Sequence, residues 1–182
     1  MEILFITGNK EKLAIANTVL KELDIKVKSK KIECPEIQSD DNETIAIESA
    51  KYASNITKSN VIKIDTGFYI EALNGFPGPY AEYVERKIDA EDILKMMENK
   101  SNRNAYYKEV LAYCEYGNEP VIFTTFTYGT ISEKLSGDKG YNYDRIFICE
   151  NDSKTMANYE QNERAKKYNN ENWKQLVKYL KK

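Results

Sequence analysis

The sequence predicts an α/β chain, on three observations. Short apolar runs at residues 2–6 and 61–64 each end in a Gly-bearing triplet, Thr7-Gly8-Asn9 and Asp65-Thr66-Gly67, as buried strands do. Between them, apolar residues recur every three or four positions, the period of a helix packed by one face. Residues 105–116 and 121–131 read as two long β segments joined by a turn around Gly117-Asn118.

Taken in order, residues 2–6 form the first strand. A helix follows with Leu13, Ala16, Leu20 and Leu23 on one face. From Ile25, apolar residues alternate with lysine toward Ile32, which predicts a half-exposed strand. Pro35 and Ser39-Asp40-Asp41-Asn42 interrupt it. Asp40 and Glu43 have capping spacing for a helix carrying Ile45, Ala46, Ala50, Ala53 and Ile56. The strand at 61–64 meets Asp65-Thr66-Gly67 and resumes strand-like at Phe68-Tyr69-Ile70. Residues 74–79 are a dense turn signal, and 90–97 are helical. After the two long β segments, a loop with Gly137 and Gly140 leads to Ile146-Phe147-Ile148. A closing helix places Trp173, Leu176, Val177 and Leu180 on one face. No linker or repeat divides residues 1–182, so a single domain is expected.

Composition narrows the chemistry. The chain has no histidine, which removes Ser-His-Asp, Cys-His and His-ligated metal chemistry. Any catalysis must rest on carboxylates, Lys, Arg and Tyr, with or without a hard cation. Cys34, Cys114 and Cys149 are odd in number and widely spaced, which argues against disulfides or a zinc site and predicts a reducing, cytoplasmic setting. A formal net charge of -2 is not that of a nucleic-acid binder. The opening apolar run is too short for a signal segment or a membrane span. No nucleic-acid or membrane partner is expected.

Several positions could carry chemistry, each with a plainer reading beside it. Thr7-Gly8-Asn9-Lys10-Glu11-Lys12 sits where a strand turns into a helix. The amides and dipole of a helix start attract anions, Gly8 lets a phosphate approach the backbone, and Lys12 lies about one turn in. The spacing is not that of a Walker loop, and the alternative is an ordinary strand-to-helix turn. Asp65, placed at a strand's carboxyl end, is suited to Mg²⁺, or else satisfies local amides. Glu36, in Pro35-Glu36-Ile37-Gln38, reads by itself as a surface acid. In the loop after Gly140, the ring of Tyr143 could stack on a base while Asp144 accepts from it, or the aromatic could plug a strand start.

Together these residues resemble the inosine/xanthosine triphosphate pyrophosphatases. The family opening TGNxxK is matched by Thr7, Gly8, Asn9 and Lys12. Its Pro-Glu-x-Gln element is matched by Pro35-Glu36-Ile37-Gln38. Its D-[ST]-G-L and LxGxPGxY elements are matched by Asp65-Thr66-Gly67-Phe68 and by residues 73–80. Its GFGYDPIF element is similar to Gly140-Tyr141-Asn142-Tyr143-Asp144-Arg145-Ile146-Phe147, and its closing SHR to Asn162-Glu163-Arg164.

The resemblance implies a long bent mixed sheet flanked by helices, in two lobes with a central cleft. It implies attack of water on the α-phosphorus, giving a nucleoside monophosphate and pyrophosphate. It implies that Glu36 and Asp65 hold Mg²⁺, with Asp65 also helping to activate the water. Thr7, Asn9 and Lys12 would bind the triphosphate, with Lys12 also counted as catalytic beside Asp65, and Gly8, Thr66 and Gly67 would contact substrate as well. Tyr143 and Asp144, with Tyr141 and Asn142, would hold the base, and Arg164 would reach its 6-oxo edge. A homodimer is implied as well.

The sequence also departs from the family pattern. Ile64 stands where an acid usually precedes the catalytic Asp. Ser49 and Ala53 replace the Asn and Lys of a helical element. Ile15 replaces a Glu three residues after the loop lysine. Glu163 replaces the closing His, Asn142 and Arg145 replace a small residue and a Pro, and a Lys-Asn segment is missing between Met156 and Asn162. These changes predict fewer cations at the phosphates and altered base choice, with Glu163 favouring a ring amine over a 6-oxo group. A non-catalytic nucleotide binder, or a related hydrolase with another base preference, is the alternative.

Overall fold

The computed structural model describes residues 2–35 and 37–182. The first strand, β1 (Glu2–Ile6), pairs in parallel with β2 (Lys26–Lys30) and with β3 (Val61–Ile70). The helices between them are α1 (Lys10–Leu20) and α2 (Asn42–Thr57). The strand β4 (Pro77–Gly78), the helices α3 (Ala81–Glu85) and α4 (Ala90–Met96), and the long strands β5 (Asn104–Cys114) and β6 (Val121–Ile131) follow. The chain ends with β7 (Phe147–Cys149), α5 (Gln161–Lys167) and α6 (Glu171–Leu180). The seven-stranded sheet runs β2-β1-β3-β5-β6-β7, with β4 joined to β3. Parallel pairs at β1 and antiparallel pairs at β3/β4 and β6/β7 make it mixed, as the resemblance implied.

The chain divides into two compact units. The first comprises residues 1–65, 109–125 and 170–182, and the second residues 66–108 and 126–169. The strands β3, β5 and β6 each pass from one unit into the other.

In the first unit, the connection β1–α1–β2 moves outward along the sheet, and β2–α2–β3 returns past β1. Crossovers of one hand running in opposite directions put their helices on opposite faces. The packing agrees. Ala16 and Leu20 of α1 join Ile3, Phe5 and Ile62, with Trp173 and Leu176 of α6, on one face. Ala46, Ala50 and Ala53 of α2 join Ile6, Val61, Val110 and Ala112 on the other. The small residues of α2 let that helix lie close on the sheet. Trp173 is 2% exposed and meets Phe5 edge-on at 5.7 Å. The second unit packs α4, through Ala90 and Ile93, and Met97 just after it, with Phe68, Ile70 and Phe147.

Three local expectations shift. Asp65 lies inside one continuous ten-residue strand rather than at a strand end, because Lys63 to Gly67 stay extended without a turn. The cap of α2 is Asp41, which accepts from the Glu43 and Thr44 amides, so the helix starts one position later than Asp40 spacing predicts. The short helices α3 and α5 have too few residues to show a period and were not foreseen.

Candidate active site

The strand order makes a place for a ligand. In open α/β sheets the crevice lies beyond the carboxyl ends of strands where successive crossovers reverse, and here that point is β1 beside β3. β1 stops at Ile6, whereas β3 continues past its last register partner, Phe5 opposite Ile62. Asp65 therefore stands three residues beyond that pair, on a stretch of β3 that β1 no longer covers.

The loop leaving β1 is organised by its own side chains. The Thr7 hydroxyl accepts from the Asn9 amide at 3.0 Å. Asn9 caps α1: its Oδ1 accepts from the Lys12 amide at 3.2 Å, and its carbonyl from the Leu13 amide at 3.2 Å. A helix start held this way keeps its amides and the positive end of its dipole in a fixed arrangement. A Cβ on Gly8 would meet no protein atom within 4 Å, and the φ of Gly8 is not in the left-handed region. Neither packing nor backbone conformation demands glycine there, which leaves an exposed stretch of main chain for a ligand.

Lys12, one turn into α1, places its ammonium 3.6 Å from Oε2 of Glu109 on β5. Oε1 of Glu109 accepts from the amide of Asn172 on α6 at 2.9 Å. Oδ2 of Asp65 accepts from the side-chain amide of Asn42, the first residue of α2, at 2.5 Å. Beside it on α2, Oε1 of Glu43 accepts from the Thr124 hydroxyl at 3.1 Å. Asn42, Glu109 and Asn172 were missed in the sequence. Their only signal was a charge pair, Lys108-Glu109, inside an otherwise apolar and aromatic strand. The Glu36 expectation lies outside the described residues.

The second unit collects the residues expected at the base, around a 3₁₀ turn at Asn142–Arg145. Asp144 is fully buried and is the hub. Its Oδ2 accepts from the Tyr141 amide at 2.9 Å and lies 3.4 Å from Nε of Arg164, and its Oδ1 accepts from the Tyr168 hydroxyl at 3.0 Å. Nη1 of Arg164 also donates to the Tyr159 carbonyl at 3.2 Å. Tyr143 is 3% exposed, stacks on Phe68 at 4.8 Å and donates its hydroxyl to the Ala81 carbonyl. The ring of Tyr143 is therefore part of the core, whereas Tyr141, two residues earlier, is 51% exposed.

Asn142 fastens the turn to the neighbouring helices. Its amide donates to Glu85 at 2.6 Å, and its Oδ1 accepts from the Ala90 amide at the start of α4. Burial pushes the Glu85 carboxyl up, against the pull of the Asn142 amide, with Asp144 and Glu82 adding to the rise. Burial, together with the Asp144 charge, holds the Tyr168 phenol far above its ordinary value, so it remains a donor to Asp144. Thr66 is half-buried and Gly67 buried, both in the middle of β3.

Among the described residues, no helix is long and apolar enough to cross a membrane.

Comparison with known proteins agrees with this fold. The model of the Ham1 family matches residues 3–170. A dITP/XTP pyrophosphatase of Methanopyrus kandleri is 43% identical over 166 residues, covering 91% of this chain and 88% of that protein. One from Methanosarcina acetivorans is 44% identical over 146 residues, covering 80% and 79%. The structure of a HAM1 protein from Coxiella burnetii superposes with a TM-score of 0.86 at 26% identity, covering 100% and 98% of the two chains. The Ham1 protein of Staphylococcus aureus gives 0.85 at 26%, covering 99% and 97%. Motif order, matched length and shared fold point the same way: the chain belongs to the Ham1 family.

Proposed function

We propose that this chain is a Mg²⁺-dependent pyrophosphatase of deaminated or modified nucleoside triphosphates, releasing a nucleoside monophosphate and pyrophosphate. The observation that carries the reading is the pairing of a capped, open helix start at Thr7-Gly8-Asn9 with Asp65, on the uncovered stretch of β3 at the same reversal of strand order. Relatives 43% and 44% identical to this chain over 166 and 146 aligned residues are named as pyrophosphatases of dITP and XTP.

The donor set suits the metal. The chain has no histidine, and the described residues hold no group of three or more acids and cysteines fit to enclose an ion. Mg²⁺ is bound mostly by water and phosphate oxygens with one or two carboxylates, and Asp65, with Glu36, would supply those. Bound there, the ion would neutralise charge on the phosphates. Asn42 holds one oxygen of Asp65, and in this reading the Asp65 carboxylate accepts a proton from the attacking water. Thr7, Gly8, Asn9 and Lys12 bind the phosphates through main-chain amides and one ammonium. Such sites work chiefly by positioning and charge neutralisation.

In the second unit, the exposed ring of Tyr141 is the aromatic surface offered to a base. Asp144 and Arg164 support the turn that carries it. A homodimer belongs to the same proposal and is read by light scattering.

The deciding experiment measures pyrophosphate release from inosine, xanthosine, guanosine, adenosine and modified triphosphates, with and without Mg²⁺. Release that needs Mg²⁺ and is lost in Asp65→Asn is expected. Tight binding without release from any substrate would instead identify a nucleotide binder.

A further inference from the structure

The phosphate reading leaves Glu109 without a part, although it is a carboxylate in a strand whose next residues, Val110 and Leu111, are fully buried. Its two oxygens are divided. Oε1 accepts from the amide of Asn172, and Oε2 faces the Lys12 ammonium at 3.6 Å. Asn172 is itself completely buried, and its Oδ1 accepts from the Trp173 amide at 2.9 Å, where the indole anchors α6 in the core. Glu109 is therefore a fixed charge, not a mobile surface acid. Ile15, one turn after Lys12, is apolar, and the Glu109 carboxylate that faces the Lys12 ammonium comes from β5.

We infer that Glu109 is a positioning residue that acts through Lys12: it shares the ammonium, weakens the grip of the loop on phosphate, and so hastens release of pyrophosphate. The inference rests on the reading of Lys12 as a phosphate ligand. Both side chains are about a quarter exposed, 29% and 23%, so the pair is less screened than one in open solvent. A polyanion arriving at the loop must divide the ammonium with a carboxylate that Asn172 does not allow to swing away. Binding of substrate and product is loosened together. An enzyme whose product carries the phosphates by which the substrate is held gains turnover from that loosening, because lid opening or product release limits many such reactions.

The test is titration calorimetry of inorganic pyrophosphate with Mg²⁺ on the full chain, beside KM and kcat for the best triphosphate. Glu109→Gln keeps shape, and its amide oxygen can still accept from Asn172. Glu109→Thr, a neutral strand former, is the second variant should the first lose stability on melting. The expected result is pyrophosphate binding tightened roughly three- to tenfold, with a lower KM and stronger product inhibition. In a Lys12→Ala background, that gain should shrink to less than half. Unchanged or weaker binding in both Glu109 variants overturns the inference, as does an equal gain without Lys12. If Lys12→Ala alone leaves pyrophosphate binding intact, the phosphate reading of the loop fails instead.

Discussion

Asn42, buried completely at the first position of α2, donates its side-chain amide to Oδ2 of Asp65 at 2.5 Å. The helix and the strand are thereby tied at a carboxylate on which the proposed chemistry depends. Asn42→Ala removes this donor and loosens the hold on the Asp65 carboxylate. By analogy with partners that orient metal-binding carboxylates, kcat should fall about 10- to 100-fold. Stability should fall about 1–3 kcal/mol, since a buried polar contact is lost. Steady-state kinetics and urea unfolding check the two parts separately.

Asn9 has two duties that one substitution can separate. Its Oδ1 caps α1 at the Lys12 amide. Asn9→Asp keeps a capping oxygen but brings a negative charge to the loop, so the melting temperature should hold while KM rises. Asn9→Ala should cost about 1 kcal/mol through the cap. A KM for Asn9→Asp equal to that of the parent would separate Asn9 from the phosphates.

Gly140 has φ +79°, and a Cβ there would come within 2.1 Å of Oδ2 of Asp144 and 3.0 Å of the Arg164 guanidinium. Gly140→Ala should therefore displace the hub of the Tyr141 turn and cost at least about 1–3 kcal/mol. Arg164→Met should cost about 3–5 kcal/mol, because it strands the buried Asp144 charge. Tyr168→Phe, which removes only one donor to Asp144, should cost about 1–2 kcal/mol. Thermal and urea melts rank the three, and a mild Arg164→Met would contradict the buried pair.

Asp152 makes a pH-dependent tie in the second unit. Burial raises its carboxyl, but bonds from the Lys167 ammonium, the Tyr159 hydroxyl and the Ser153 amide outweigh this and hold it at about 2. A folded value below the unfolded one means stability that is present above about pH 4 and lost as pH falls toward 2. The tie contributes about 2 kcal/mol. Asp152→Asn should unfold more easily than the parent at pH 6, and the gap should narrow steadily toward pH 2. A constant gap across that window would show that Asp152 does not carry the dependence.

The sequence by itself determined what is local. Ile3 to Ile6 followed by Thr7-Gly8-Asn9 specifies a strand, a turn and a capped helix within a dozen residues, because each signal acts on its immediate neighbours. The amphipathic spacing of α6 and the turn near Gly75 are legible for the same reason. The absence of histidine excluded Ser-His-Asp, Cys-His and His-ligated metal chemistry before any fold was known.

What the tertiary structure decided is long-range. That β3 lies beside β1, and runs on past its end to expose Asp65, follows from strand order, which no local pattern encodes. Asn42 and Glu109 look like ordinary helix and strand residues until α2 and β5 bring them to Asp65 and Lys12. Tyr141 and Tyr143 are chemically alike and two apart in sequence. The stack on Phe68 and the bond to Ala81 make Tyr143 core, while Tyr141 is left outside. Partner choice across such separations is set by which faces bury together, because burying apolar area and pairing every buried polar group are properties of the assembled fold.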